Sequence, residues 1–354
     1  MAAAIWFPDD YTNFRELAVK LMRESRRPDS PHAPHIRALT MLRPAAEGVG
    51  AARAPLALHS ETFPPEYLHV LGSYLQARHI ATTQWDTEMF WAGHGLKLVQ
   101  EGFTLAHLKA AMLTVSTRYM TVAHRGREFP VIVPVVDMAN HHTTCANWYE
   151  FRPCNASLLP WPRVNWDLDA LAAEAGSVEK DELCAYWMAA AEITAGEEAC
   201  LSYGYLTPDL ALLQYGFILP DDPPQLSHMD EPGFAHDMKA GRTHSAPPRP
   251  FAGSASEVER EVVRVESLAA ALERSQGAAA ATPHAPTDPD GSALASLLQL
   301  RSQRVASLRA EAARLRQQLE ATAAAAAAAG GGGHAVAEEA VAISGQGLAT
   351  KSEL

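Results

Sequence analysis

The hydrophobic pattern of the chain changes character near Pro220. Before it, apolar residues recur at helical spacing over residues 14–23 and 104–120, and a short β-branched run follows at 129–138. After it, charged and Ala-rich stretches predict helices over 257–275 and 294–320. Strands mixed with helices, followed by helices alone, indicate an α+β class with a helical C-terminal domain.

Three local patterns give further predictions. Residues 64–80 are predicted to form one helix that starts at a pair of prolines. The segment 184–204 is predicted to form two strands joined by a turn at Gly196. Gly93 and Gly95 are expected to end a helix.

Composition restricts the class of protein. The 354 residues are 47% hydrophobic, so one large or two moderate domains can form, and the net charge of −12 argues against a nucleic-acid partner. No apolar run has the length of a membrane span, and the N-terminus has neither a signal-peptide core nor transit-peptide composition. The four cysteines form no C-x-x-C pair, which indicates neither a disulfide framework nor a zinc ribbon and favours a reducing compartment.

The apolar helix at 294–320 allows two interpretations. Leu298, Val305, Ala312 and Leu319 lie seven residues apart, as in a coiled coil that joins two chains, but Arg301 interrupts the apolar series. The favoured alternative is a helix that packs within its own domain, because about three heptads are marginal for a free coiled coil. A monomer is therefore expected.

The segment VIVPVVDMANHHTTC carries several polar groups directly after an apolar run. His141, His142 and Cys145 are possible zinc ligands, but adjacent histidines on an extended chain point to opposite sides, which disfavours a metal site. Asp137 and Asn140 could instead bond to their own backbone in a turn. A pocket for a polar ligand is the third possibility.

A second group of residues favours the pocket. About sixty residues further on, Tyr203 stands where a strand is predicted to end, beside a helix start. Tyr215 and Phe217 then flank a glycine. An amide-histidine pair, a tyrosine and two aromatic side chains are typical of a concave, partly apolar pocket with few polar groups.

These residues carry a resemblance to a known family. "VPVVDMANH" followed by "GEEACLSYGYLTPDLALLQYGFILP" resembles the SET-domain protein-lysine methyltransferases, and it looks most like the subclass typified by the plant Rubisco large-subunit methyltransferase. The resemblance covers roughly residues 17–220 and more faintly extends to about 320. It implies methyl transfer from S-adenosylmethionine to a lysine of a protein substrate, and a SET-like β-fold with a helical insert.

The resemblance also assigns roles. By the family pattern, Tyr203 is the catalytic tyrosine and Tyr215 lines the channel for the substrate lysine. The cofactor-binding residues it implies are Arg118, Asn140, His141 and Phe217. Asp137 is interpreted as structural, tying the strand end to the neighbouring chain, and His142 as facing solvent.

The resemblance divides the chain into four regions. Residues 1–130 correspond to a helical insert, 131–220 to the C-terminal SET core, 221–320 to a helical substrate-binding domain and 321–354 to a disordered tail. Family members carry a Gly-x-Gly cofactor segment upstream of the helix that matches residues 14–23, and none precedes it here, so a partial SET fold is expected. The alternative function is therefore a degenerate SET-like pseudoenzyme that acts as a protein-interaction module. A chloroplast location is plausible by family, although the chain as written suggests the cytoplasm.

Overall fold

The computed structural model describes residues 14–39, 58–124, 127–142, 145–154, 183–203, 206–219, 226–227, 230–231, 251 and 253–330. The segment 40–57, most of the segment 221–250 and the chain from 331 onward lie outside these residues. Predictions for those segments therefore stay predictions.

Four helices form the N-terminal part of the described chain. They are α1 (Phe14–Ser25), α2 (Ala33–Ala38), α3 (Tyr74–Gln100) and α4 (Leu105–Arg118). Leu17 of α1 and Leu108 of α4 belong to one buried core cluster. Thr104 caps α4 as predicted, because its hydroxyl accepts a hydrogen bond from the backbone N–H of His107 (3.3 Å). The predicted helices at 14–23 and 104–120 are confirmed.

The single helix predicted for residues 64–80 is wrong. A short 3₁₀ turn at Pro65–Tyr67 is followed by Gly72, whose φ of +62° suits glycine and breaks the helical path. The hydroxyl of Ser73 accepts a hydrogen bond from the backbone N–H of Gln76 (3.3 Å) and starts α3 there. The regularly spaced apolar residues thus belong to the segment around the 3₁₀ turn and to α3, and not to one helix.

The expectation that Gly93 and Gly95 end a helix is also wrong, because both lie inside α3. A Cβ atom on Gly95 would lie 2.9 Å from the indole ring of Trp91. Glycine costs a helix interior about 1 kcal/mol, and here its missing side chain leaves room for an indole one turn earlier.

Two strand pairs follow α4. The strands are β1 (Met120–His124), β2 (Arg127–Val131), β3 (Trp148–Pro153) and β4 (Leu183–Met188). β1 pairs antiparallel with β2, and β3 pairs antiparallel with β4. The strand predicted for 129–138 ends earlier, at Val131. A turn at Val135 (φ +75°) and a 3₁₀ turn at Val136–Met138 follow. Asp137 is therefore buried in a turn and does not lie on a strand.

The second strand predicted for 184–204 does not form in the described chain. After β4, the residues up to Tyr203 form an irregular segment with one turn at 195–196, and Leu201 makes a single parallel bridge with His141. That bridge is nevertheless one of the contacts that bring the two halves of the quoted motif together.

The cysteine interpretation is corrected by the structure, in which all four cysteines are paired. Cys154 and Cys184 join β3 to β4, and Cys145 and Cys200 join the chain after His141 to the chain before Leu201. The partners are 30 and 55 residues apart in sequence. Strand pairing creates this proximity, so a search for C-x-x-C spacing could not find it.

The C-terminal part of the described chain is helical. It comprises α5 (Pro208–Leu210), a π-helical turn (Ala211–Tyr215), α6 (Ala255–Arg274), α7 (Gln276–Ala280) and α8 (Ser292–Gly330). The predicted helices at 257–275 and 294–320 are confirmed, and α8 continues ten residues beyond the expected start of the tail. Across the described helices, none is both long enough and apolar enough to cross a membrane.

Packing of α8 within the chain accounts for its apolar face. Leu308, Ala312 and Leu315 are buried in a cluster with residues of α6. Arg301, which interrupts the heptads, is 2% exposed, and its guanidinium donates hydrogen bonds to the backbone oxygens of Val70 (2.8 Å) and Leu272 (2.9 Å). The arginine thus joins α8 to the segment before α3 and to the end of α6.

Candidate active site

A cavity of about 270 Å³ lies between the end of α4, the segment after β2 and the residues around the π-helical turn. Three of the six predicted site residues line it: Arg118, Tyr203 and Tyr215. The full lining consists of Thr117, Arg118, Tyr119, Met120, Val136, Asp137, Ala139, Tyr149, Leu201, Ser202, Tyr203 and Tyr215. A wall of aromatic rings with a few polar groups suits a ligand that is partly apolar.

Arg118 is the last residue of α4, and its guanidinium lies in the cavity wall. Its Nη1 donates to the backbone oxygen of Asp137 (2.9 Å) and lies 3.1 Å from the sulfur of Met138. Its Nε is buried and has no hydrogen-bond partner among the described residues. A guanidinium is permanently charged and has five N–H donors in a fixed fork, so Arg118 gives the cavity wall a positive charge that attracts an anionic ligand.

Asp137 has two roles in the structure. Its Oδ2 lies 3.0 Å from Nε2 of His35 in α2, and its backbone N–H donates to the oxygen of Val133 (3.0 Å). These contacts agree with the prediction that Asp137 ties its segment to the neighbouring chain. However, Asp137 also lines the cavity, and its buried Oδ1 has no hydrogen-bond partner in the part of the chain that the structure describes. Nothing in the local sequence predicts this second feature.

Tyr203 is held by two hydrogen bonds. Its hydroxyl donates to the backbone oxygen of Ala139 (2.8 Å), and its backbone N–H donates to Nδ1 of His141 (3.2 Å). Because a backbone N–H can only donate, the neutral His141 ring carries its proton on Nε2. Burial lowers the pKa of His141 and raises the pKa of Tyr203, where Arg118 opposes and Asp137 adds to the shift. Both side chains are therefore neutral near pH 7.

Four rings form an aromatic cluster beside the cavity. Tyr203 lies 5.2 Å from His141 and 4.8 Å from Tyr215, measured between ring centroids, and Tyr215 lies 6.0 Å from Phe217. Gly216 has a φ of +75°, which lets the chain reverse between Tyr215 and Phe217. Burial raises the pKa of Tyr215. The faces of such rings stabilise a cation electrostatically.

Three predicted residues, Asn140, His141 and Phe217, lie next to the cavity lining rather than in it. The Asn140 side chain donates to Oε1 of Glu198 (2.6 Å), and its backbone oxygen accepts from the N–H of Leu201 (2.9 Å). Asn140 therefore joins the two segments that carry the site.

Sequence reasoning missed Tyr149 and Ser202, which also line the cavity. Their place in the cavity lining depends on how β3 and the residues after the parallel bridge fold, and their local sequence carries no signal that predicts this place. His142 is exposed, in line with its predicted position. Within the described ranges, no group of three or more His, Cys, Asp or Glu side chains is placed to hold a metal ion.

The fold resembles solved structures, although no protein-family model and no curated protein sequence matches the chain. One is the SET domain of LSMT bound to lysine and AdoHcy, with a TM-score of 0.51 and 15% identity over 87% of this chain and 76% of that chain. The chain has a SET-like fold. Two others are the same domain bound to methyl-lysine and AdoHcy (TM-score 0.49, 15% identity, 88% and 76% covered) and Rubisco LSMT bound to sinefungin and monomethyllysine (0.47, 14%, 87% and 76%).

The fold-level expectations are therefore confirmed: a mixed helix and strand architecture of SET type, with a helical C-terminal region. At 15% identity, this likeness speaks for the fold alone. The individual roles of the site residues rest on the geometry described above.

Proposed function

We propose that the chain transfers a methyl group from S-adenosylmethionine to a lysine side chain of a protein substrate. The observation that carries the proposal is the convergence of Arg118, Tyr203 and Tyr215 on one cavity within a SET-like fold. The similar LSMT domain was crystallised with lysine and AdoHcy, which are the acceptor amino acid and the demethylated form of this donor. In this proposal, the helical region 221–320 contacts the protein substrate and the chain acts as a monomer.

The cavity wall fits the amino-acid end of the methyl donor. That end carries a carboxylate, and Arg118 in the cavity wall has a permanently charged guanidinium that can pair with it. S-adenosylmethionine, when bound, supplies a methyl carbon activated by its positively charged sulfur.

The remaining cofactor-binding assignments concern the residues beside the cavity. Asn140 follows the lining residue Ala139, and its amide is fixed by Glu198. We assign Asn140 to the methionine part of the donor, the backbone of His141 to the adenine edge and the ring of Phe217 to the adenine face. Aromatic and amide groups held by backbone bonds fix orientation at little entropic cost.

The lysine must arrive as a free amine, because only its lone pair can attack the methyl carbon. A lysine ammonium has a pKa of about 10.4 in water, and burial against aromatic rings lowers it. Tyr215 and Tyr149 supply such rings in the cavity wall. As the new C–N bond forms, the bond from the methyl carbon to sulfur breaks and the nitrogen becomes a methylated ammonium.

Tyr203 orients the amine rather than removing its proton. Its hydroxyl proton is committed to the carbonyl of Ala139, and burial keeps its pKa raised. The oxygen therefore offers lone pairs that can accept a hydrogen bond from an amine N–H. Alignment of the reacting atoms is the main contribution a site can make to an in-line displacement.

A direct test mixes the purified chain with S-adenosylmethionine that carries a labelled methyl group. Free lysine, polylysine and a mixture of unrelated lysine-containing proteins serve as acceptors, and mass spectrometry locates the label. Label on a lysine ε-amine, reduced about ten- to a hundredfold in Tyr203→Phe, supports the proposal. A folded chain that binds AdoHcy but labels none of these acceptors would instead support the pseudoenzyme alternative.

A further inference from the structure

His59 lies behind the site, outside the cavity lining, and is 2% exposed. Its Nδ1 accepts a hydrogen bond from the backbone N–H of Glu61 (3.0 Å), and its Nε2 lies 2.9 Å from the hydroxyl oxygen of Ser116. Ser116 is in the last turn of α4, two residues before Arg118. The imidazole therefore links the segment at 58–63 to the helix end that carries Arg118.

The direction of these bonds follows from their partners. A backbone N–H can only donate, so Nδ1 of His59 is the acceptor and Nε2 carries the proton. That proton is donated to Ser116, whose own hydroxyl donates to the backbone oxygen of Leu113 (3.1 Å). Burial lowers the pKa of His59 to about 4, with a backbone hydrogen bond to Gln214 acting the other way and His79 adding to the fall. The ring thus remains a neutral donor near pH 7.

The backbone of the same residue contacts the opposite wall of the site. A Cβ atom placed on Gly216 would lie 3.4 Å from Cβ of His59 and 3.5 Å from its backbone nitrogen. The next residue, Ser60, donates its N–H to the backbone oxygen of Leu213 (3.3 Å) in the π-helical turn. Gly216 stands between Tyr215 and Phe217, so His59 packs directly under the aromatic cluster.

We infer that His59 is a positioning residue, which holds the end of α4 with Arg118 and the turn with Tyr215 in a fixed relation across the cavity. The effect of His59 on catalysis rests on the proposed function, whereas the structural link that His59 makes between the two walls does not. Interiors pack closely, so a buried residue whose ring is bonded to Ser116 and whose backbone packs against Gly216 sets the distance between the two walls. A displacement of about 1 Å in a site that works by alignment lowers turnover by up to about a hundredfold.

The test uses three variants of the full chain. His59→Leu removes the donor and acceptor and keeps much of the volume, His59→Gln retains an amide donor for Ser116, and Ser116→Ala removes the acceptor in case the first variant does not fold. Tyr67→Phe is the matched control, because it deletes two buried hydrogen bonds outside the cavity lining, one to Asp288 (2.8 Å) and one from the backbone N–H of Ala285 (2.8 Å). Thermal unfolding shows whether the variants and the control lose comparable stability.

Two readouts are needed. Amide hydrogen exchange should rise by about tenfold in the peptides covering 113–119 and 211–219 in His59→Leu and Ser116→Ala, with recovery in His59→Gln and no rise in Tyr67→Phe. Turnover should fall by about tenfold or more in the same two variants, again with recovery in His59→Gln.

Exchange that rises in only one of the two segments, or that rises equally in Tyr67→Phe, would overturn the inference. Unchanged turnover in an active enzyme would overturn it as well. If the wild-type chain transfers no methyl group, the proposed function fails, but the exchange readout still decides whether His59 couples the two walls.

Discussion

The hydroxyl of Tyr203 donates a 2.8 Å hydrogen bond to the backbone oxygen of Ala139, which precedes the Asn140–His141 pair. The backbone N–H of the same tyrosine donates to the His141 ring. Two segments some sixty residues apart are thus joined at one side chain, and the hydroxyl oxygen keeps its lone pairs for a further partner. This arrangement gives Tyr203 a defined orientation in the cavity wall.

Tyr203→Phe should lower methyl transfer by about ten- to a hundredfold, the effect of losing one hydrogen bond worth about 1.4–2.7 kcal/mol in the transition state. The aromatic ring and the backbone bond to His141 remain, so the affinity for AdoHcy should change little. Steady-state turnover and calorimetry measure the two quantities separately.

The matched control for that substitution is Tyr186→Phe. The Tyr186 hydroxyl donates to the backbone oxygen of Cys154 (3.1 Å), and Tyr186 does not line the cavity. Turnover should be retained in this variant. Equal losses in the two variants, or full turnover in Tyr203→Phe, would remove Tyr203 from the reaction.

The two disulfides should differ in their effect on the site. Cys145–Cys200 joins the two site segments, whereas Cys154–Cys184 joins strands that already pair. Each closes a loop whose entropy gives about 3–4 kcal/mol of stability in the chain-entropy model. Cys145→Ser should therefore weaken AdoHcy binding more than Cys154→Ser at a similar loss of stability.

Calorimetric titration of both serine variants, together with a thiol count on the native chain, checks this prediction. Native protein should show no reactive thiol, and each variant should show one, from the cysteine left without its partner. Equal AdoHcy affinities in the two variants would contradict a special role for the Cys145–Cys200 bridge.

Glu61 should make stability depend on pH. Its carboxylate is 3% exposed and accepts hydrogen bonds from the Thr87 hydroxyl (3.1 and 2.9 Å), and burial raises its pKa from 4.5 to about 7. Between pH 4.5 and 7 the unfolded chain releases this proton while the folded chain keeps it. Rising pH therefore favours the unfolded state, by on the order of 2–3 kcal/mol in total, and the loss is complete above pH 7.

Glu61→Gln cannot ionise, so the difference in unfolding free energy between wild type and this variant should fall by that amount from pH 4.5 to 7.5. Denaturant unfolding at several pH values measures it, and the ionisation of His59 cancels because both proteins share it. Glu66→Gln, at an exposed position, should show no such change. A difference that does not vary with pH would mean that Glu61 is charged in the folded protein.

Much of the fold could be predicted from local sequence. The helices with clear caps or periodicity, such as α1 and α4, were predicted because their signals lie within a few residues. The strand predicted for 129–138 failed, since β-branched composition cannot reveal that Val135 adopts a φ of +75° and turns the chain. The segment at 64–80 failed for a similar reason, because apolar spacing continues across the break at Gly72.

The candidate site was predicted in part. Arg118, Tyr203 and Tyr215 line one cavity as the motif suggested. The cysteine pairs and the contribution of Tyr149 were not predicted, because they depend on which strands meet. A buried atom that has no hydrogen-bond partner among the described residues, such as Oδ1 of Asp137, is likewise a product of three-dimensional packing and has no signature in sequence.

Calorimetric titration of the folded chain with AdoHcy is the measurement that tests the central claim most directly. The account predicts binding in the micromolar range, and at least about tenfold weaker binding in Arg118→Ala, because hydrogen bonds to a charged group contribute about 1.5–3 kcal/mol. Arg309→Ala removes an exposed ion pair between Arg309 on α8 and Glu273 on α6, and this variant should bind AdoHcy as tightly as wild type. A folded wild-type chain that gives no binding heat, or an Arg118→Ala variant that binds as well as wild type, would contradict the assignment of this cavity to the methyl donor.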